Sequence, residues 1–140
     1  MKLSPCFSLE ELAVTSNKAL ASKNLKEAKA HLTEMECLAF FAEQVRAFVN
    51  GPMIISSGYR CDELNKAVGG AKTSQHRFFR AIDFVPKGQD LDEVYAKLQF
   101  SPLVYRQLIK EQSGTKRWIH ISMGFEKENL VYKDGKYTKI

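Results

Sequence analysis

The sequence is short of several things at once. Its 140 residues contain three cysteines, Cys6, Cys37 and Cys61, an odd number with no C-x-x-C pair among them. A disulfide framework is excluded, and buried or incidental thiols of a reducing compartment are expected. No run of about 18 uninterrupted apolar residues occurs, which excludes a membrane-spanning helix. Walker and dinucleotide-binding patterns are absent, and Gly69-Gly70 is not a phosphate loop. Internal repeats, low-complexity stretches and any linker long enough to separate a second domain are missing as well. Met1-Lys2-Leu3-Ser4-Pro5 lacks the apolar core of a signal peptide, so synthesis in the cytoplasm is expected, whatever the final site of action.

What is present suits one soluble domain. Hydrophobic residues make up 44% and charged residues 26%, enough for a buried core under a polar surface. The formal net charge of +5 is mildly basic and favours contact with polyanions, whether nucleic acid, acidic wall polymers or anionic membranes. The basic tail residues Lys127, Lys133, Lys136 and Lys139 interleave with Tyr132 and Tyr137. No nucleic-acid motif accompanies them, so they read as a solvated face and no nucleic-acid partner is expected.

Periodicity places helices first and strands later. Ser8 with Glu11 three residues on is a capping-box pattern, and Phe7 and Leu12 are placed for a hydrophobic staple. Apolar residues at Ala28, Leu32, Met35, Ala39, Ala42, Val45 and Val49 predict one continuous helix capped by Asn24 and stopped by Asn50-Gly51-Pro52. Strands are expected at 53–56, 81–85, 105–110 and 118–122. Short helices are expected over 62–68 and after Asp90, and a hairpin around Asp134-Gly135. The class is α+β, with an antiparallel sheet and flanking helices in a single domain.

Three residues carry the most chemistry. His76 ends a polar loop, Asp83 sits in an otherwise apolar strand, and His120 alternates with Ile119 and Ile121. A strand carboxylate is costly to bury without a positive or hydrogen-bonding partner. Two imidazoles and one carboxylate form a known three-ligand set for catalytic zinc, with the fourth position left to water or substrate. As three scattered residues they fit ordinary hydrogen-bonded core or surface positions better than a metal site.

The local strings narrow this. Ser56-Ser57-Gly58-Tyr59-Arg60, Leu64-Asn65-Lys66-Ala67-Val68-Gly69-Gly70, Thr73-Ser74-Gln75-His76, Ala81-Ile82-Asp83 and Trp118-Ile119-His120-Ile121-Ser122 occur in that order. Together they closely resemble the zinc D-Ala-D-Ala carboxypeptidase family of cell-wall peptidases, especially its small phage- or prophage-encoded members. That family includes dipeptidases of vancomycin resistance and endolysins cutting L-alanyl-D-glutamate bonds, and it shares its fold with the Hedgehog signalling domain. The resemblance spans about residues 5–123, leaving 124–140 as a hairpin or tail.

The resemblance implies one Zn²⁺ per chain held by His76, Asp83 and His120, although manganese, cobalt or nickel can occupy such a set. It implies that Arg60 faces the substrate, where a planar guanidinium suits a peptide carboxylate, and that Ser74 and Gln75 line the site. Glu111 resembles the glutamate that serves as general base in short members. The expected partner is a peptidoglycan peptide, the expected state a monomer without membrane insertion, and the expected route to the wall a holin or a phage particle.

Two departures stand out. The family pattern S-x-H-x-x-G-x-A-x-D has Phe79 at its glycine, a residue type that usually supplies a positive φ or close backbone approach. Arg117 occupies the position, three before His120, where several relatives carry an acid or histidine. With Arg77 and Arg80 adding positive charge, a catalytically degenerate module that binds wall peptide or a protein partner is the alternative expectation.

Overall fold

The computed structural model describes all residues 1–140. Its elements run α1 (Leu9–Leu12), α2 (Ala21–Lys29), α3 (Leu32–Val49), β1 (Met53–Ser57), α4 (Asp62–Ala67), a 3₁₀ turn (Gln75–Phe78), β2 (Ala81–Pro86), α5 (Leu91–Gln99), β3 (Gln107–Ser113), β4 (Lys116–Ser122), β5 (Glu128–Lys133) and β6 (Lys136–Lys139). The strands form one sheet in the order β1-β2-β4-β3-β5-β6. The class is α+β, as the order of patterns implied. No helix is long and apolar enough to cross a membrane.

Two compact units are distinguishable, Met1–Glu43 with Ile55–Ile82, and Gln44–Ile54 with Asp83–Ile140.

In the first unit, α1 starts as its sequence dictates. The Ser8 side chain accepts from the Glu11 backbone N–H while the Glu11 carboxylate accepts from the Ser8 N–H. Phe7, Leu9 and Leu12 are buried, as are Ala28, Met35, Leu38, Tyr59 and Leu64. Each fully buried large apolar side chain contributes roughly 1.5–3 kcal/mol. The long helix expected from Asn24 to Val49 is two helices, with Ala30 and His31 between them. At the break, His31 Nδ1 lies 2.9 Å from the Glu27 carbonyl, the group that the His31 backbone N–H would take in an unbroken helix. That N–H goes to Ala28 instead.

Asn24 is no helix cap. It lies within α2, fully buried, donating to the carbonyls of Ala13 (2.9 Å) and Tyr59 (3.0 Å) and accepting from the Cys61 N–H (2.8 Å). One side-chain amide therefore satisfies three backbone groups that would otherwise be costly to bury.

In the second unit, Asp90 caps α5 by accepting from the Glu93 N–H. Helix α5 packs on β3 and β4, with Val94, Tyr95 and Leu98 buried. The Tyr95 hydroxyl donates to the Leu108 carbonyl at 3.0 Å. Strands β3 and β4 form an antiparallel hairpin, and β5 with β6 form another, turned through Asp134 and Gly135 at positive φ. Strand β5 pairs parallel to β3 within a mostly antiparallel sheet. The reason is the chain path: after β4 the chain crosses to the far side of β3 and so runs in the same direction. Tyr105 and Arg106 precede β3 rather than belonging to it, and β3 extends to Ser113.

Candidate metal centre

His76 sits in the 3₁₀ turn, which Ser74 opens by accepting from the His76 backbone N–H. Its imidazole is 2% exposed, and Nδ1 lies 2.7 Å from the Gly58 carbonyl oxygen. A carbonyl only accepts, so Nδ1 carries the proton and Nε2 holds the lone pair. The Gly58 backbone is itself tightly placed: a Cβ there would lie 2.2 Å from the Leu12 carbonyl oxygen. Glycine is required at this position by close approach. The His76 carbonyl accepts from the Arg60 N–H at 3.1 Å, so the segment around Gly58 grips His76 at both its ring and its backbone.

Asp83 lies in β2 and is buried. On β4, alternation puts Ile119 and Ile121 wholly in the core and turns Trp118 and His120 to the other face. His120 Nδ1 is 2.8 Å from Asp83 Oδ1, which answers the question of what meets a carboxylate in an apolar strand. Donor atoms of His76, Asp83 and His120 all lie within 4.8 Å of one another. Two imidazoles and a carboxylate so gathered, with the His76 tautomer fixed by an outer hydrogen bond, fit a zinc ion.

Glu111 lies on β3 opposite Trp118, whose indole N–H donates to Glu111 Oε2 at 2.6 Å. Trp118 is two residues from His120, so Glu111 is a diagonal neighbour of His120 on one sheet face, a spacing of about 7 Å in such pairs. Sequence reasoning missed what continues this row. Tyr132 on β5 is in register with Glu111, and Tyr137 on β6 is in register with Tyr132. The two rings are 4.6 Å apart at 50°. Partial burial of its hydroxyl, then the charge of Glu111, push the Tyr137 phenol above its usual pKa. The signal was present in the alternation of Tyr132 and Tyr137 about an Asp-Gly turn, but the parallel β3–β5 pairing that brings it beside Glu111 was not.

Arg60 is held by its neighbours: Nε donates to Ser57 Oγ at 3.2 Å and Nη1 to Asn65 Oδ1 at 3.0 Å. It lines a cavity of about 230 Å³ with Thr15, Ser16, Ser56, Ser57, Leu64 and Val68. Gly70 closes over this pair, where a Cβ would stand 2.1 Å from Asn65 Oδ1. Gln75 is half-buried at the start of the 3₁₀ turn.

The two departures from the motif take simple forms. Phe79 adopts φ 61° and ψ 34°, the left-handed conformation that its glycine counterpart permits. That backbone costs a non-glycine residue about 1–2 kcal/mol. Its ring stacks on Tyr59 at 4.2 Å and 1° and lies 5.2 Å from His31, contacts each worth about 0.5–1.5 kcal/mol. Arg117 is on the opposite face of β4 from Trp118 and His120 and pairs with Asp92 at 2.5 Å. Arg77 is engaged by Asp62, at 2.8 Å, and by the Lys72 carbonyl. The positive charge expected of Arg77 beside His76 is thus met by Asp62.

No curated protein matches the chain. The family model for peptidase M15 matches residues 5–122, most of its length and all of the ligand set. The chain belongs to the peptidase M15 family.

Proposed function

We propose that the protein is a zinc-dependent peptidase acting on the stem peptides of peptidoglycan, cutting a D-Ala-D-Ala or an L-Ala-D-Glu bond. The observation that carries this reading is the convergence of His76, Asp83 and His120 with a glutamate, Glu111, on the same sheet face as His120. The three ligands would hold the metal. When bound, zinc supplies a water of pKa about 7 and polarises the scissile carbonyl.

The remaining work falls to the chain's own groups. The Gly58 carbonyl holds the His76 proton on Nδ1, leaving the Nε2 lone pair for a metal. Glu111 takes a proton from the attacking water and delivers it to the leaving amine. Trp118 fixes one oxygen of that carboxylate, orienting the other for the transfer. Arg60 binds a substrate carboxylate, which both candidate bonds place close to the cut, while Ser57 and Asn65 keep its guanidinium in plane. Ser74 and Gln75 border the substrate beside His76.

The degenerate-module alternative drew on Phe79 and Arg117. Phe79 takes a left-handed backbone of the kind glycine adopts readily, and Arg117 lies on the opposite face of β4 from His120. Neither therefore argues against hydrolysis. The test is incubation of the zinc-loaded protein with a D-Ala-D-Ala pentapeptide and with an L-Ala-D-Glu peptide, read by mass spectrometry. Cleavage of one, abolished in Glu111→Gln, supports the reading. Binding of both without cleavage of either would leave a binding module in its place.

A further inference from the structure

His76 is gripped from outside by one short segment. Gly58 accepts from its ring, and the Arg60 N–H donates to its carbonyl. The residue between them, Tyr59, is anchored three times over. Its N–H donates to the Leu12 carbonyl (2.8 Å), its carbonyl accepts from Asn24 (3.0 Å), and its hydroxyl donates to Glu27 (3.3 Å). It is 5% exposed. The 3₁₀ turn that carries His76 ends at Phe79, and the Phe79 ring lies flat on Tyr59 with His31 against it.

A left-handed residue ending this turn sets where the chain goes after His76. Glycine would allow that conformation while leaving many others open. Phenylalanine disfavours it, so only contacts made in that conformation can hold the residue there. The ring contacts meet that condition, because the Tyr59 and His31 rings receive Phe79 in the geometry that φ 61° directs.

We propose that Phe79 is a positioning residue for His76: the Tyr59–Phe79–His31 stack holds the left-handed end of the 3₁₀ turn and so fixes the imidazole against Gly58. This inference rests on His76 being a metal ligand. It adds that a ring-stacked lock holds this left-handed turn end, which makes aromaticity at position 79 a determinant of metal retention.

The test is zinc affinity of the full chain, by chelator competition, in Phe79→Ala, Phe79→Leu and Phe79→Tyr beside Tyr59→Phe. Loss of an outer partner of a metal ligand typically weakens binding by about 10–100-fold. Phe79→Ala and Phe79→Leu should fall in that range. Phe79→Tyr and Tyr59→Phe, which keep both rings, should stay near wild type. Phe79→Leu retains apolar bulk and covers the case in which the alanine variant fails to fold. A second readout needs no metal: in nitrogen-correlated NMR spectra of the zinc-free protein, the His76 Nδ1 proton should exchange faster in Phe79→Leu than in wild type. Wild-type zinc affinity and unchanged His76 exchange in the leucine variant would overturn the inference. Absence of zinc binding in the wild type would instead count against the proposed function, while the exchange comparison would still decide the role of Phe79.

Discussion

Glu111 and Trp118 face each other across the β3–β4 hairpin, and the indole N–H of Trp118 donates to Glu111 Oε2 at 2.6 Å. The pair puts an oriented carboxylate two residues along the sheet from His120. Glu111→Gln is expected to retain zinc while lowering hydrolysis by about 10²–10⁴-fold, the usual contribution of a general acid–base group. Trp118→Phe, which keeps the ring and removes the donor, should lower kcat by a smaller factor with metal content unchanged. Elemental analysis alongside peptide turnover checks both, and wild-type turnover in Glu111→Gln would remove it as the base.

Arg60→Lys keeps the charge but loses the planar fork that Ser57 and Asn65 hold. Its KM for a carboxylate-bearing peptide should rise about tenfold or more, a loss on the order of 1.4 kcal/mol of binding. An amidated peptide should show little difference between the two proteins. Equal loss on both peptides would place Arg60 outside substrate recognition.

Gly58→Ala brings a Cβ to 2.2 Å from the Leu12 carbonyl oxygen and 2.9 Å from its carbon, both backbone atoms. The chain must move, and overpacking of this kind costs about 1–3 kcal/mol. Because the Gly58 carbonyl holds His76, zinc affinity should fall with stability. Chemical denaturation and chelator competition measure the two effects separately.

Arg117→Ala tests the opposite face. The pair with Asp92 is exposed, so the change should alter stability by about 0.5 kcal/mol or less and leave hydrolysis intact. The Arg117 hydrogen bond holds Asp92 below its usual pKa. A lowered folded-state pKa gives stability that is present above the unfolded value, about 3.9, and lost as pH falls through the folded value. The small difference between Arg117→Ala and wild type should therefore vanish in acid. A large loss of activity at neutral pH would reassign Arg117 to the site.

Much of this was legible because the signals are local. The capping box at Ser8 and Glu11, the Asp90 cap, the Asp134-Gly135 turn and the alternation about His120 are each decided within a few residues. His76, Asp83 and His120 were legible as an ordered motif, and the structure gathers their side chains into a group that could hold a metal ion. What escaped was set by tertiary contacts. The stripe from Ala28 to Val49 is compatible with one helix, and the break at His31 depends on a side chain that takes the Glu27 carbonyl and meets Phe79. Asn24 reads as a cap because its buried partners Ala13, Tyr59 and Cys61 are remote in sequence. Phe79 reads as a defect for the same reason, since the ring that stabilises its backbone lies twenty residues away at Tyr59. The parallel β3–β5 pairing, and with it the placing of Tyr132 and Tyr137 beside Glu111, follows from chain path rather than from any local pattern.

The most direct test of the central claim is the metal content of the untagged protein, prepared without added metal and analysed beside His120→Ala. About one zinc per chain, lost in the variant, is the expected result. A protein that takes up no zinc even when zinc is offered would contradict the metal centre and the peptidase built on it.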